Sequence, residues 1–208
     1  MKNKYIYVKN MLSMDLVEYL STWTLKNVEK TWIDEQVNHA FSLHSQNSEI
    51  YSHLLHHLLP VMEKETNLKL KPMYGYTRIY VGGSELSKHR DRKACEISAS
   101  ITLKYFYQDK TYQWPLCMGN IPINIKSGDG VIYKGEEVEH WRPVFQQPKE
   151  YWHHQVFLHY VDLNGPYATL TPNKTNEEHE EEFLKIKKEI KNMITTLKER
   201  NLFFLKKY

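Results

Sequence analysis

The chain has 208 residues, of which 25% are charged and 41% hydrophobic, and its formal net charge is +3. These proportions are typical of a soluble globular protein, and the length suits one domain with a substantial core. No apolar run approaches the roughly 18 residues of a membrane span, and the N-terminus lacks the apolar segment of a signal peptide.

The cysteine content and the charge pattern narrow the class further. The two cysteines, Cys95 and Cys117, argue against a disulfide scaffold and favour a cytoplasmic location, where thiols stay reduced. The net charge is small, and no element carries a basic stripe with interleaved aromatic residues. The sequence therefore gives no indication of nucleic-acid binding.

The first 70 residues read as mainly helical. Residues 4–9 alternate in β fashion, and Ser13 is a suitable N-cap for a helix predicted over residues 14–25. A second helix is predicted to begin near Asn47, and Pro60 inside its apolar pattern should kink or divide it. We expect residues 1–70 to form a helical support for a core that follows.

From residue 71 the pattern changes to strands. They are predicted at residues 73–81, 95–107, 112–116, 121–125, 130–133 and 151–162, with glycine-containing turns between them. Such short, closely spaced strands indicate an all-β sandwich or barrel. A charged helix, acidic at its start and basic at its end, is predicted over residues 174–203. We expect one domain over residues 1–208, mainly β with flanking helices.

One motif suggests a metal site. His89 and Asp91 form an H-x-D triplet after a Gly-Gly turn, and residues i and i+2 of an extended chain point to the same side. The candidate third ligand is His140, in the segment GDGVIYKGEEVEHWRPV. Two histidines and a carboxylate on one face of a metal are typical of non-heme Fe(II) oxygenases. The competing interpretation is a surface charge cluster at residues 89–92 with His140 as an ordinary loop residue.

Three stretches carry a resemblance to a known family: residues 74–98, the segment containing His140, and QVFLHYVDLNGP. They resemble the prolyl-4-hydroxylase-like branch of the Fe(II)- and 2-oxoglutarate-dependent oxygenases, and are most similar to the small members from phages and marine bacteria. The resemblance implies a double-stranded β-helix (jelly roll) over residues 71–165, with His89, Asp91 and His140 as iron ligands.

The same resemblance implies an activity. It is hydroxylation of a prolyl or other amino-acid or peptide substrate, with Fe(II), 2-oxoglutarate and O₂ as cofactors and with release of succinate and CO₂. No catalytic side chain beyond the metal ligands is required. The substrate is expected to be a small molecule or a peptide, and the sequence leaves its identity, the oligomeric state and the role of the C-terminal helix open.

The chain departs from the family at the 2-oxoglutarate anchor. The family places Arg or Lys on the strand after the distal histidine, where it grips the far carboxylate, but residues 151–160 contain neither. Alignment of the HYVD segment puts His153 at the anchor position, and a protonated His153 would make co-substrate binding pH-sensitive. Alternatively, Arg142 or Arg78 supplies the charge.

Other residues are assigned by position. The resemblance implies that Tyr80, ahead of the Gly-Gly turn, bonds the co-substrate, although plain sheet packing would also explain it. Thr102 alternates with core-facing neighbours, so it is expected to face the mouth of the pocket. Arg78 shares a strand face with Tyr80 and is a candidate for substrate contact. Trp141 either walls the substrate side or caps the barrel.

Two other classes of function compete with the oxygenase. A cupin-like or zinc hydrolytic enzyme would use the same three ligands and would also need a general base, for which Glu137 or Glu139 is available. A non-catalytic jelly-roll binding module would explain the missing anchor as decay of a former site. Metal content and 2-oxoglutarate dependence separate the three.

Overall fold

The structure is a computed structural model that describes residues 1, 3–27, 32–33, 37, 40–44 and 49–171. The C-terminal helix predicted over residues 174–203 lies outside these ranges. Within them, no helix has both the length and the apolar character needed to cross a membrane.

The described residues form helices α1 (Met14–Lys26), α2 (Glu49–His57) and α3 (Leu59–Thr66). The Ser13 side chain caps α1 by accepting a hydrogen bond from the backbone N–H of Leu16. Pro60 lies in the first turn of α3, where its missing N–H breaks no intrahelical bond. Both the first predicted helix and the division at Pro60 are confirmed.

Eleven strands follow the chain in the described residues. They are β1 (Tyr5–Val8), β2 (Trp32–Ile33), β3 (Ala40–His44), β4 (Leu70–Val81), β5 (Leu86–His89), β6 (Ile97–Phe106), β7 (Leu116–Met118), β8 (Ile121–Ile123), β9 (Gly130–Tyr133), β10 (His140–Arg142) and β11 (Trp152–Asp162). The strand predicted at 112–116 is wrong except for its last residue. A turn precedes it instead, in which the backbone N–H of Tyr112 donates to the Asp109 carbonyl.

The strands form two antiparallel sheets. The larger has the order β1-β9-β6-β11-β4-β3-β2, and the smaller has the order β5-β10-β7-β8. The N-terminal part of the chain is therefore not only helical, because it adds β1 to one edge of the large sheet and β2 and β3 to the other. Two packed antiparallel sheets with flanking helices confirm the predicted jelly roll.

Alternation along β11 divides the interior into two layers. Val156 and Leu158 pack against residues of α1, α2 and α3 on one face of the large sheet. Phe157, on the opposite face, packs with Tyr80 of β4 and Leu86 of the small sheet. The space between the two sheets, here called the inner pocket, is lined by the second set of side chains.

Candidate metal centre and inner pocket

The structure brings the three predicted metal ligands together. Antiparallel pairing of β5 with β10 places His89 directly opposite His140, and Asp91 follows two residues beyond the end of β5. The Nε2 atoms of His89 and His140 lie 3.7 and 3.5 Å from Asp91 Oδ1. One ligand atom from each of the three residues lies within 4.8 Å of the other two.

Hydrogen bonds to backbone carbonyls orient the imidazoles of His89 and His140. Nδ1 of His89 lies 2.8 Å from the Ser87 carbonyl, and Nδ1 of His140 lies 3.0 Å from the Val138 carbonyl. A carbonyl only accepts, so each Nδ1 carries a proton, and each Nε2, which faces Asp91, is the nitrogen available to a metal. Burial also lowers the pKa of His140, which favours the neutral, metal-binding form.

The Asp91 carboxylate is held by its surroundings. Its Oδ2 accepts a hydrogen bond from Ser98 Oγ at 3.0 Å, and its backbone N–H donates to the Gly135 carbonyl at 2.9 Å. A Cβ at position 135 would lie 2.5 Å from Asp91 Oδ2 and 2.3 Å from the Cys95 carbonyl. The turn before β10 therefore approaches Asp91 so closely that only glycine fits.

Two buried side chains beside the ligands were missed in the sequence. The Tyr133 hydroxyl lies 3.4 Å from His140 Nε2, and His159 Nδ1 lies 2.9 Å from Ser98 Oγ. Alternation along β9 and β11 places both on the inner pocket face. That alternation was visible in the sequence for His159, which shares a face with His153, but nothing local showed which sheet end lies beside the metal ligands.

Arg142 is a buried cation in the inner pocket. It lies on β10 two residues beyond His140 and is 1% exposed. Its Nη1 donates to the Trp114 carbonyl at 2.7 Å and its Nη2 to Gln155 Oε1 at 3.1 Å, whereas no group in the described part of the chain bonds its Nε. Among the described residues no ion pair involves Arg142. A buried guanidinium with an unmatched donor indicates a site for an anion.

His153 lies on the same face but is already bonded at both nitrogens. Nδ1 lies 2.6 Å from the Tyr107 hydroxyl and Nε2 lies 2.8 Å from Gln155 Oε1. Burial and the charge of Arg142 hold the pKa of His153 well below its ordinary range. Both contacts and the lowered pKa count against the expectation of a protonated His153, because a second cation beside a buried guanidinium is strongly disfavoured.

Gln155 connects these groups. Its Oε1 accepts hydrogen bonds from Arg142, His153 and Thr102, the last at 3.1 Å, and its Nε2 donates to Ser100 Oγ at 2.9 Å. Thr102 thus lies on the inner face, as expected, but its hydroxyl is bonded to Gln155. The Gln155 amide oxygen and the Trp114 carbonyl therefore together set the position of the Arg142 guanidinium.

Tyr80 and Arg78 face the inner pocket, as their shared strand face predicts. Both are buried, and the Tyr80 hydroxyl accepts a hydrogen bond from Arg78 Nη1 at 3.0 Å. The Tyr80 ring lies edge-on to Trp114 at a centroid distance of 4.9 Å. Aromatic rings surround the Arg78 guanidinium, at 5.2, 5.4 and 5.4 Å from Cζ: Tyr76, Tyr80 and Phe157.

Trp141 lies on the other face of β10. Alternation directs His140 and Arg142 inward, and Trp141 is half-buried with its Nε1 donating to the Gly119 carbonyl at 2.9 Å. The Lys88 ammonium lies 5.0 Å from its ring centroid. This placement corrects the expectation that Trp141 walls the substrate side, because its ring lies on the face of β10 opposite His140 and Arg142.

The two glutamates offered for a hydrolytic mechanism lie outside the pocket as well. Glu137 is exposed and pairs with Lys134 at 2.9 Å, and Glu139 is exposed. Neither is placed to act as a general base on a metal-bound water.

No protein-family model and no curated protein matches the sequence. Solved structures do share the fold. A prolyl-4-hydroxylase from Pseudomonas putida superposes with a TM-score of 0.57 at 15% identity, over 76% of this chain and 93% of that one. HygX from Streptomyces hygroscopicus, solved with nickel, 2-oxoglutarate and hygromycin B bound, gives 0.64 at 12% identity, over 82% and 86%.

A third structure is a prolyl hydroxylase from Trichoplax adhaerens in complex with a hypoxia-inducible-factor peptide fragment. Its TM-score is 0.57 at 12% identity, over 82% of this chain and 89% of that one. At these identities the likeness concerns the fold. The chain therefore has the fold of the 2-oxoglutarate-dependent oxygenases and prolyl hydroxylases, as the resemblance implied.

Proposed function

We propose that the protein is an Fe(II)- and 2-oxoglutarate-dependent oxygenase that hydroxylates a small amino-acid-type or peptide substrate. The observation that carries the proposal is the pairing of two features in one pocket. One is the His89, Asp91 and His140 cluster, in which both Nε2 atoms face Asp91. The other is Arg142, on the same short strand as His140, with its buried unmatched Nε.

The donor set fits iron. His89, Asp91 and His140 would hold Fe(II) through two neutral imidazoles and one carboxylate, a set that leaves coordination positions for other molecules. When bound, iron together with 2-oxoglutarate and O₂ supplies the oxidising chemistry, in which the co-substrate becomes succinate and CO₂ and the substrate gains a hydroxyl. The Ser87 and Val138 carbonyls orient the imidazoles.

The inner pocket fits the co-substrate. Arg142 would hold the carboxylate remote from the metal through its unmatched Nε, in a charge-assisted bond. Tyr80, whose hydroxyl accepts from Arg78, keeps its own proton for a second bond to that carboxylate. Gln155 fixes the guanidinium, and His153 and Thr102 act by holding Gln155. The aromatic surroundings, including Trp114, exclude water and strengthen these bonds.

The substrate is proposed by analogy of fold. The Trichoplax adhaerens structure holds a peptide fragment, and a prolyl or other amino-acid side chain is the corresponding proposal here. A hydrolytic function is disfavoured because Glu137 and Glu139 are exposed and lie outside the pocket.

The test is succinate formation from 2-oxoglutarate by purified protein with Fe(II) in air, alone and with prolyl peptides whose mass gain of one oxygen atom is followed. Wild type should form succinate, whereas His140→Ala and Arg142→Gln should form almost none. Arg90→Gln, an exposed change next to the ligands, is the matched control and should stay active. Succinate formation that is equal in His140→Ala and wild type contradicts the proposal.

A further inference from the structure

His159 carries a buried nitrogen that the proposed function does not use. The residue lies on the inner face of β11 and is 2% exposed. Its Nδ1 lies 2.9 Å from Ser98 Oγ, and its Nε2 has no hydrogen-bond partner among the described residues. Ser98 also bonds Asp91, and one His159 nitrogen lies within 4.8 Å of an Asp91 carboxylate oxygen, so this side chain lies beside the metal ligands.

The hydrogen bonds around Ser98 determine the tautomer of His159. The single hydroxyl proton of Ser98 has two oxygen acceptors, Asp91 Oδ2 at 3.0 Å and the Cys95 carbonyl at 3.1 Å. Neither oxygen donates, and a bond to a carboxylate is the stronger kind. Ser98 Oγ must therefore accept its proton from His159, which places the hydrogen on Nδ1. Nε2 is left as a buried lone pair.

Aromatic rings pack against the imidazole of His159. Its ring lies 4.5 Å from the Tyr74 ring and 5.8 Å from the Tyr76 ring, and Tyr76 stacks on Phe157 at 4.7 Å. Beside these rings, one His159 nitrogen lies within 4.8 Å of an Asp91 carboxylate oxygen and of Cys95 Sγ, but among the described residues no group bonds Nε2. The proposed co-substrate cannot satisfy it, because a dianion with a keto group offers only acceptors.

We propose that His159 Nε2 accepts a hydrogen bond from the substrate. The substrate then carries an N–H or O–H donor close to the carbon presented to the metal, as a secondary amide or a hydroxylated ring does. This inference rests on the proposed function and deepens it, because it assigns the substrate a hydrogen-bond donor.

Two isosteric variants separate the nitrogens of His159. The amide nitrogen of His159→Asn occupies the Nδ1 position, so it keeps the bond to Ser98 and removes the acceptor. The amide of His159→Gln reaches the Nε2 position, so its oxygen restores the acceptor. If His159 acts only by positioning Asp91 through Ser98, His159→Asn should behave like wild type. If His159 acts by binding the substrate, His159→Gln should behave like wild type.

The experiment uses ¹⁵N-histidine-labelled full-length protein loaded with Zn²⁺ and 2-oxoglutarate, with 2-pyrrolidinone and N-methyl-2-pyrrolidinone as a matched pair of probes that differ in the donor. The Nε2 resonance should be that of an unprotonated nitrogen and should shift with 2-pyrrolidinone but not with its N-methyl form. Wild type and His159→Gln should bind 2-pyrrolidinone about tenfold more tightly than the N-methyl form, and His159→Asn should lose this preference.

Two results would overturn the inference: a proton on Nε2 in the metal-loaded protein, or equal or absent binding of the two lactams by wild type. The Fe(II)–2-oxoglutarate absorption band of the same proteins keeps the two proposals apart. Its absence from wild type counts against the proposed function, whereas its presence in all three proteins without a lactam preference counts only against the role of His159.

Discussion

At the scale of single residues, we expect the substitution of Arg142 to weaken 2-oxoglutarate binding most. Replacing it by Gln removes the charge partner of a buried carboxylate, and such losses typically cost about 2–5 kcal/mol. We expect Arg142→Gln to bind 2-oxoglutarate at least about 30-fold more weakly, with Mn²⁺ affinity nearly unchanged. Calorimetric titration of Mn²⁺-loaded protein measures both. Arg78→Gln is the comparison, and a larger loss in that variant would move the anchor to Arg78.

His153 gives an expectation for pH. Its pKa is depressed by burial and by Arg142, so the imidazole is neutral near neutral pH and takes up no proton when the co-substrate binds. The 2-oxoglutarate affinity of metal-loaded protein should therefore change less than about twofold between about pH 6 and 8 on account of this residue. If the 2-oxoglutarate affinity of wild type declines with rising pH and that of His153→Gln does not, the His153 imidazolium is the anchor.

The metal ligands were predictable from the sequence, whereas the state of the anchor was not. His89 and Asp91 are two residues apart, so their joint reach follows from local geometry, and the segment around His140 carried a recognisable pattern. The neutrality of His153 depends on Tyr107, which follows β6, on Arg142 of β10 and on Gln155 of β11. Only the folded arrangement shows that both of its nitrogens are occupied.

At the scale of elements, the turn between β9 and β10 positions Asp91. In Gly135→Ala the new methyl would meet the Cys95 carbonyl at 2.3 Å and Asp91 Oδ2 at 2.5 Å, and backbone cannot yield cheaply. We expect metal affinity to fall by at least about tenfold. Equilibrium titration with Co²⁺ measures it.

Gly119→Ala is the matched control for that change. Position 119 has open space around its Cβ but a φ of +59°, so alanine should cost about 1 kcal/mol of stability and leave metal affinity intact. Equal metal affinity in Gly135→Ala and wild type would contradict the role assigned to the turn.

Strand prediction missed β5 and β10, the two short strands that hold His89 and His140. The sites depend on β5 and β10, which have four and three residues, and an alternating pattern needs a longer run to be recognised. The long strands β4, β6 and β11 were found because they alternate or are rich in β-branched and aromatic residues, and the four-residue β9 was found because glycine-containing turns precede it. The long strands of the jelly roll were thus easier to predict from the sequence than β5 and β10, which complete the metal site.

At the scale of the whole molecule, buried neutral histidines should make the fold sensitive to acid. Burial lowers the pKa of His154 to about 3 and of His159 to about 4, from 6.5. His154 bonds Ser21 of α1 at 3.0 Å and Thr77 of β4 at 2.6 Å. The unfolded chain binds more protons between the unfolded and folded pKa values, so this stability is complete above about pH 6.5 and is lost as pH falls.

The expected slope is up to about 1.4 kcal/mol of unfolding free energy per pH unit for each such histidine. Urea denaturation between about pH 6 and 4 measures it, and His154→Gln should lower the slope by about that amount. A slope that is the same in the variant and in wild type would mean that His154 is not held neutral in the fold.

The most direct measurement of the central claim is an anaerobic titration of metal-free protein with Fe(II) and then with 2-oxoglutarate, followed by visible absorption. We expect a metal-to-ligand charge-transfer band in wild type that is absent from His140→Ala and much weaker in Arg142→Gln. Iron binding without a band would contradict the 2-oxoglutarate assignment, and failure to bind iron would leave the fold as a non-catalytic binding module.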